Sequence, residues 1–328
     1  MSPKRGGMKF AWVVLDFMKR SRALRGLLLN FFIISSAFCE LNKAHEYFIK
    51  GDWKRAVEEF YAEGVQNLSP EQLNNLALSL YYLGRYEDTK RLLKPFVDKD
   101  LRSRVVYYLA IATKDKDIAL KELSQISTVE AIIAQAIIIM NKESEKALKL
   151  LNEAINKDPD NFWAWFYRGV ILELREEFME ASKAYKNAIR LNPFFAQAHN
   201  NLGYCYKEMH YYSYAVEEYL KAIELIPDNA GYYYNLGNAY THLERIDEAF
   251  SAYKKAVELD PGFAKAHYNL ARTYLRKDMV REAIDEFRLY IKYGNKDIFN
   301  FVAPKEAVLE EIEQLEEYLK LYGPVEGR

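Results

Sequence analysis

The chain has 328 residues, of which 50% are hydrophobic and 28% are charged, so it can bury an extensive core. This composition excludes a disordered tail and a membrane bundle. The 46 basic and 47 acidic residues balance, unlike the strongly basic surface of a nucleic-acid-binding protein, so no nucleic-acid partner is expected.

The N-terminal segment is first basic and then apolar. Residues 1–37 hold seven basic side chains and a single acidic one, Asp16. The stretch 27–38 is apolar over twelve residues, which is shorter than the ~20 residues of a spanning helix but typical of a signal-peptide core. Small residues at 35–37 offer a cleavage site, and Met18 is an alternative start. We therefore predict that residues 1–37 form a signal peptide or an N-terminal anchor.

This segment decides where the protein is expected to act. Cleavage would export the protein to the periplasm or cell envelope. The alternatives are a membrane-anchored protein, whose contact with the membrane would be through the uncleaved segment alone, and a cytoplasmic protein. A lipoprotein is disfavoured because Phe38, rather than a small residue, precedes Cys39. Cys39 and Cys205 would lie too far apart in a stacked array to form a disulfide, so both are expected to be unpaired thiols.

A repeat of 34 residues dominates the second half of the chain. It is marked by four prolines, Pro159, Pro193, Pro227 and Pro261, and between them similar residues recur in a fixed order. One unit contains Leu236-Gly237, Tyr240, Ala249, Tyr253 and Ala256. This order resembles the tetratricopeptide repeat, a pair of antiparallel helices in 34 residues. The resemblance implies that the units stack into a right-handed superhelix with the first helices on its concave side.

A lone glycine inside the first helix of the repeat needs an explanation, because it weakens a helix by about 1 kcal/mol. Gly203 and Gly237 occupy this position, and Ala271 takes it in the next unit. We predict that a small residue here makes room for a large aromatic side chain from the neighbouring helix.

The pattern can be followed along most of the chain. Residues 40–127 read as divergent helical repeats, and residues 303–322 read as a C-terminal capping helix with Val308, Ile312, Leu315 and Leu319 on its buried face. The clearer units span 128–161, 162–195, 196–229, 230–263 and 264–297. The predicted fold is thus all-α, a right-handed superhelical solenoid of about eight antiparallel helix pairs with a C-terminal cap.

Catalytic and cofactor motifs are not recognisable in the sequence. The five histidines do not cluster, no Cys pair stands at metal-ligand spacing, and phosphate-binding loops are absent. His199 and His267 take the place of Trp165 and Tyr233 in sister repeats, so a structural role is expected for both. We therefore expect no enzymatic activity, no cofactor and no metal site.

Acidic pairs on the predicted outer helix faces are expected to be solvated charges. Glu217-Glu218 and Glu310-Glu311 are examples. An outward row of glutamates on the capping helix would keep the end of the array soluble.

An asparagine directly precedes the Leu-Gly position in several units, as in Asn201, Asn235 and Asn269. This arrangement resembles the asparagine ladder of peptide-binding tetratricopeptide proteins such as the O-linked N-acetylglucosamine transferase. The resemblance implies hydrogen bonds to the backbone of an extended peptide. The alternative is that these amides form hydrogen bonds between neighbouring helices.

Neighbouring positions of the predicted groove carry aromatic and basic side chains, which are typical binding anchors. The carboxylate clamp of chaperone-binding relatives is matched at Asn235 and Lys265, whereas its other positions differ. Besides the three asparagines, the predicted groove residues are Tyr204, Tyr234, Asn238, His242, Lys265, Tyr268, Arg272 and Arg276.

The sequence therefore predicts a non-enzymatic interaction scaffold that binds a protein or peptide segment in its concave groove. The alternatives are a structural or assembly subunit of a cell-envelope complex, acting through its convex face or tyrosine-rich edges, and an adaptor to a separate enzyme.

Overall fold

The computed structural model describes residues 43–295, 298 and 302–322. The predicted signal peptide or anchor and Cys39 lie outside these residues. Within them the chain forms seventeen α-helices and no strands. The helices are α1 (Lys43–Lys50), α2 (Trp53–Glu63), α3 (Pro70–Tyr82), α4 (Tyr86–Leu93), α5 (Leu101–Ile111), α6 (Lys116–Leu123), α7 (Val129–Ile139), α8 (Ser144–Lys157), α9 (Phe162–Leu174), α10 (Phe178–Leu191), α11 (Ala196–Glu208), α12 (Tyr212–Leu225), α13 (Ala230–His242), α14 (Ile246–Leu259), α15 (Ala264–Leu275), α16 (Val280–Tyr293) and α17 (Lys305–Tyr322).

Each odd-numbered helix up to α15 packs against the even-numbered helix that follows it, and each pair packs against the next. The described part of the chain therefore contains eight helical hairpins, and α17 closes the array against α16. This confirms the all-α solenoid of about eight units with a C-terminal cap. No helix among the described residues is both long and apolar enough to cross a membrane.

The turn inside several hairpins uses a residue in the left-handed region. Glycine occupies it in the first two hairpins, at Gly51 and Gly84. Non-glycine residues occupy it in four later hairpins, with φ between 58° and 63°. These residues are Glu176, His210, Glu244 and Asp278. Their 34-residue spacing shows that the turn itself repeats, at the local cost of a conformation that side chains normally avoid.

The glycine of the first helix lies against a tyrosine of the second helix. A Cβ atom placed on Gly169, Gly203 or Gly237 would lie 2.6–2.8 Å from the ring of the tyrosine sixteen residues later. These tyrosine rings are almost fully buried. The predicted reason for the glycine is confirmed, because the missing side chain makes room for an aromatic ring.

A second recurring contact joins the first helix to the proline that precedes it. Trp165 Nε1 donates to the carbonyl of Pro159 at 3.0 Å, and Tyr233 Oη donates to that of Pro227 at 3.1 Å. The ring nitrogens of His199 and His267 make the same contact, with Pro193 and Pro261, at 3.1 and 3.0 Å. Four sister side chains thus fix the same turn, which confirms the structural role expected for both histidines.

Two glutamates expected to be solvated have partners on neighbouring helices. Glu218 lies 2.6 Å from His199 Nδ1 and is largely buried, so the expectation was wrong for this residue. Glu311 of the capping helix lies 2.7 Å from Arg272 but remains partly exposed at the surface. Val308 and Ile312 of the cap are buried as predicted.

The first hairpin also contacts hairpins far along the chain. Trp53 stacks on Tyr82 and lies 6.2 Å from the ring of Trp163 and 6.1 Å from that of Phe195. Arg55 forms an ion pair with Asp228 at 2.8 Å. In an open solenoid each repeat contacts its neighbours alone, so these contacts show that the N-terminal half curves back on itself.

Candidate functional site

Two asparagines of the predicted ladder join the first helices of successive hairpins, and the third joins α11 to the second helix α10. Asn235 Nδ2 on α13 donates to Asn200 Oδ1 on α11 at 2.9 Å. Asn269 Nδ2 on α15 donates to Asn238 Oδ1 on α13 at 2.8 Å. Asn201 Nδ2 donates to the Tyr185 hydroxyl at 3.2 Å. The structure therefore contains the hydrogen bonds between neighbouring helices that were the alternative to peptide binding. A role of these asparagines in ligand binding stays a prediction.

A polar cleft opens where α11, α13 and α15 lie side by side. Its cavity volume is about 270 Å³. Five of the predicted groove residues line it together: Asn238, His242, Asn269, Arg272 and Arg276. The 34-residue spacing brings them together, since residues at equivalent positions of stacked first helices become neighbours in space.

Three cationic side chains surround this cleft. Lys207 comes from α11, Arg272 lies in the last turn of α15, and Arg276 directly follows that helix. Each has a carboxylate partner at the surface: Glu208 for Lys207, Glu311 for Arg272 and Glu244 for Arg276. Both arginine side chains remain about half exposed. Exposed ion pairs of this kind are weak, so a ligand carboxylate could replace the protein carboxylates without a large penalty.

An aromatic shelf forms one edge of the cleft. His242 is exposed and stacks face to face on Tyr212, with ring centroids 4.6 Å apart and an interplanar angle of 4°. Below it, the Tyr253 hydroxyl donates to Asn238 Oδ1 at 2.8 Å and lies 3.0 Å from Thr241 Oγ1. Burial raises the pKa of Tyr253, with Thr241 and Asn269 acting in the opposite direction, so its hydroxyl stays protonated. The floor of the cleft is therefore a hydrogen-bond network, and charged side chains form its rim.

The other predicted groove residues do not line this cleft. Tyr234 and Tyr268 are half-buried and pack into the core against Phe263 and Tyr290, with centroids 5.1 Å apart in each pair. Burial also dominates the environment of Tyr204, where it and the nearby carboxylates raise the pKa to about 12. The residues outside the cleft are Asn201, Tyr204, Tyr234, Asn235, Lys265 and Tyr268.

Four residues of the cleft were missed by the sequence prediction: Lys207, Thr241, Tyr253 and Thr273. Lys207 and Thr241 stand at the same position of consecutive repeats, but Leu275 follows them there, so the period did not mark this position as part of the groove. Tyr253 was assigned to the core, where its ring lies, but its hydroxyl reaches the cleft. Thr273 is buried and donates to the Asn269 carbonyl at 2.7 Å, which holds that turn of α15.

The described residues contain no group of His, Cys, Asp and Glu side chains placed to hold a metal ion. Cys205 is buried in the core, and burial raises the pKa of its thiol well above the ordinary value. A thiol in this setting is a poor nucleophile.

Comparison with known proteins identifies the repeats. A family model described as "TPR repeat" matches residues 174–209, 212–243 and 237–278. These residues form tetratricopeptide repeats. A second model, described as "Protein prenyltransferase alpha subunit repeat", matches residues 144–175. Comparison with curated protein sequences finds no match.

One solved structure shares the fold over most of this chain, and two others align less closely. The APC/C hetero-tetramer Cut9-Hcn1 aligns over 82% of this chain and 54% of its own with 17% identity and a TM-score of 0.62. YrrB, described as a TPR protein with an unusual peptide-binding site, aligns over 61% and 98% with 21% identity and a TM-score of 0.47. MamA from Desulfovibrio magneticus RS-1 aligns over 55% and 95% with 23% identity and a TM-score of 0.46. Repeats of this kind form extended binding surfaces, and the chain has the general architecture of a protein-interaction scaffold.

Proposed function

We propose that this protein is a non-enzymatic scaffold that binds an extended protein or peptide segment in the cleft between α11, α13 and α15. The observation that carries the proposal is the combination of amide groups and cations in one cleft. Asn238 and Asn269 lie beside Arg272 and Arg276, with His242 at the rim. Side-chain amides can pair with a peptide backbone, and arginines can pair with its carboxylates.

The charge of the cleft indicates the kind of segment. Lys207, Arg272 and Arg276 offer donors without acceptors, so they favour a segment with an acidic side chain or a free C-terminal carboxylate. Such a segment would displace the surface carboxylates Glu244 and Glu311 from the arginines. The amides of Asn238 and Asn269 already form hydrogen bonds with each other and with the Tyr253 hydroxyl and would use their remaining capacity.

Site-specific photo-crosslinking in the native cell tests this proposal. Benzoylphenylalanine would replace His242 in the cleft and, in a separate variant of the full chain, Tyr214 outside it. Adducts from position 242, mapped by mass spectrometry to one segment of a partner and absent at 214, would support the proposal. Adducts from position 214 alone would overturn it.

A specific observation favours the assembly alternative. Tyr211 and Tyr214 are more than half exposed, and both lie near the ring of Tyr206, at 6.5 and 5.5 Å. Exposed aromatic clusters are typical of protein interfaces. In this second candidate function the protein is a structural subunit that docks through this tyrosine edge, and crosslinks from Tyr214 would identify it.

We also propose that the protein is exported, because residues 18–37 combine a basic start, an apolar centre and small residues at the end. Fractionation followed by N-terminal sequencing tests this. A mature start near Phe38 in the envelope fraction is expected, and a cytoplasmic chain that retains Met1 would contradict it.

A further inference from the structure

The charge of the inner helix face changes from one hairpin to the next. Three positions of the first helix line the polar cleft in two hairpins each, since residues 34 apart in sequence occupy the same position. These pairs are Asn238 and Arg272, Lys207 and Thr241, and His242 and Arg276. One hairpin before each pair stand Tyr204, Glu173 and Glu208. The face is therefore cationic at α15, whereas carboxylates occupy it between α9 and α11.

Glu173 has no cationic partner among the described residues. Its side chain is half-buried, and its Oε2 accepts a hydrogen bond from the Tyr185 hydroxyl at 2.6 Å. Burial and the nearby charge of Glu208 raise the pKa of Glu173, although the bond from Tyr185 acts in the opposite direction. A cation that reaches such a carboxylate favours its ionised form. Glu173 is thus an acceptor on the inner face that the protein leaves without a counter-ion.

The neighbouring Lys207 shows how a cation is held at this face. Its Nζ lies 4.6 Å from the centroid of the Tyr204 ring and 2.5 Å from Glu208. A cation over the face of a tyrosine ring is attracted by the ring electrons. Because Lys207 balances the charge of Glu208, the charge of Glu173 is the one that stays unbalanced here. A single ammonium or guanidinium group would balance it.

We propose that Glu173 binds a lysine or arginine side chain of the segment in the cleft, so that the ligand carries a basic residue at a fixed distance from its acidic group. The inference rests on the proposed function, because Arg272 and Arg276 must hold the acidic group to set the register. First helices packed about 8–10 Å apart place α9 and α15 about 24–30 Å apart. An extended segment covers this distance in about seven to nine residues.

Selection from a displayed library of random peptides longer than this span tests the inference. The targets are full chains of the parent, of Glu173→Gln and of the control Glu217→Gln, which changes an exposed glutamate on α12 outside the cleft. Peptides selected on the parent and on the control should combine an acidic group with a Lys or Arg at a fixed distance from it. Peptides selected on Glu173→Gln should keep the acidic group and lose the preferred basic residue.

Calorimetric titration of one selected peptide measures the size of the effect. A second peptide carries norleucine in place of the basic residue and so keeps an aliphatic side chain without the charge. The parent should bind it about 3- to 10-fold more weakly, whereas Glu173→Gln should bind both peptides equally. The glutamine retains an oxygen for the Tyr185 hydroxyl. If this variant fails to fold, Glu208→Gln replaces it, because Lys207 then becomes the counter-ion of Glu173.

The outcomes separate this inference from the proposed function. Peptides with an acidic group but no preferred basic residue would overturn the inference and leave binding in the cleft standing. A basic preference that survives in folded Glu173→Gln would refute the role of Glu173. Failure to select any peptide on the parent would overturn the proposed function and this inference with it.

Discussion

The ring of Tyr253 occupies the space that a Cβ atom on Gly237 would need, since that atom would lie 2.6 Å from Tyr253 Cε1. The same relationship joins Gly169 to Tyr185 and Gly203 to Tyr219. In the following unit Ala271 replaces the glycine and Phe287 replaces the tyrosine, and both are fully buried. The repeat therefore keeps a small residue and an aromatic residue as a pair.

Gly237→Leu should destabilise the protein by about 1–3 kcal/mol, because the added side chain overpacks the contact with Tyr253. Chemical denaturation measures the change in the free energy of unfolding. The matched control is the same substitution in a Tyr253→Leu background, where the penalty should be smaller. A Gly237→Leu variant as stable as the parent would remove the packing explanation of the glycine.

Two tyrosines at the same position of adjacent repeats should respond differently to loss of the hydroxyl. Tyr253 donates to Asn238, whereas the buried Tyr219 hydroxyl has no hydrogen-bond partner among the described residues. Tyr253→Phe should therefore cost about 0.5–1.5 kcal/mol, while Tyr219→Phe should be neutral or stabilising. Thermal and denaturant unfolding of both variants provide the comparison, and a larger loss for Tyr219→Phe would contradict the described network.

The contribution of His267 to stability should depend on pH. Its Nδ1 lies 2.6 Å from Glu286 and its Nε2 lies 3.0 Å from the Pro261 carbonyl, so both nitrogens face acceptors. Burial opposes protonation, but these two hydrogen bonds, with the charges of Glu286 and Asp260, raise the pKa of His267 above its ordinary value. A raised pKa means that the folded protein holds this proton more tightly than the unfolded chain does.

The stabilisation should therefore be fully present below the unfolded-state pKa of about 6.5 and should be lost as the pH rises through the folded-state pKa. The measurement is the difference in free energy of unfolding between the parent and His267→Gln across this range. Tyr293, which stacks on the imidazole, stays unchanged in both proteins. A difference that grows with rising pH would have the wrong sign for this account.

The helix-bridging amides should contribute to stability in the absence of any ligand. Asn269→Ala removes the hydrogen bond to Asn238 between α15 and α13 and should cost about 0.5–1.5 kcal/mol. Asn187→Ala is the control, since its amide bonds to the Lys183 carbonyl within α10 and joins no two helices. Equal stability of Asn269→Ala and the parent would show that the bridge does not support the array.

The period of the sequence predicted those parts of the fold that are local to one repeat or shared by two. The pairing of Gly237 with an aromatic ring and the structural role of His267 are both of this kind. The contact of Trp53 with Trp163, 110 residues away, could not be read from the period. It depends on the curvature of the whole array, which accumulates from a small rotation at each hairpin.

The sequence predicted only part of the cleft, because the period does not show how closely the helices approach. Arg272 and Arg276 stand out as cations on a predicted inner face, but Lys207 does not, because its counterparts in the next repeats are Thr241 and Leu275. Tyr268 looked like a groove anchor, yet its ring packs against Phe287. Helical spacing shows which residues share a face, whereas the depth of a side chain depends on how closely neighbouring helices approach.

Peptide titration of two arginine variants tests the central claim most directly. A peptide selected from a random library on the full chain would be titrated by calorimetry against the parent, Arg272→Ala and Arg288→Ala. Both arginines form ion pairs with α17, Arg272 with Glu311 and Arg288 with Glu316, but Arg272 alone of the two lines the cleft. The account predicts about 10-fold or greater loss of affinity for Arg272→Ala and none for Arg288→Ala, with both proteins equally folded. Unchanged affinity in folded Arg272→Ala would contradict binding in this cleft.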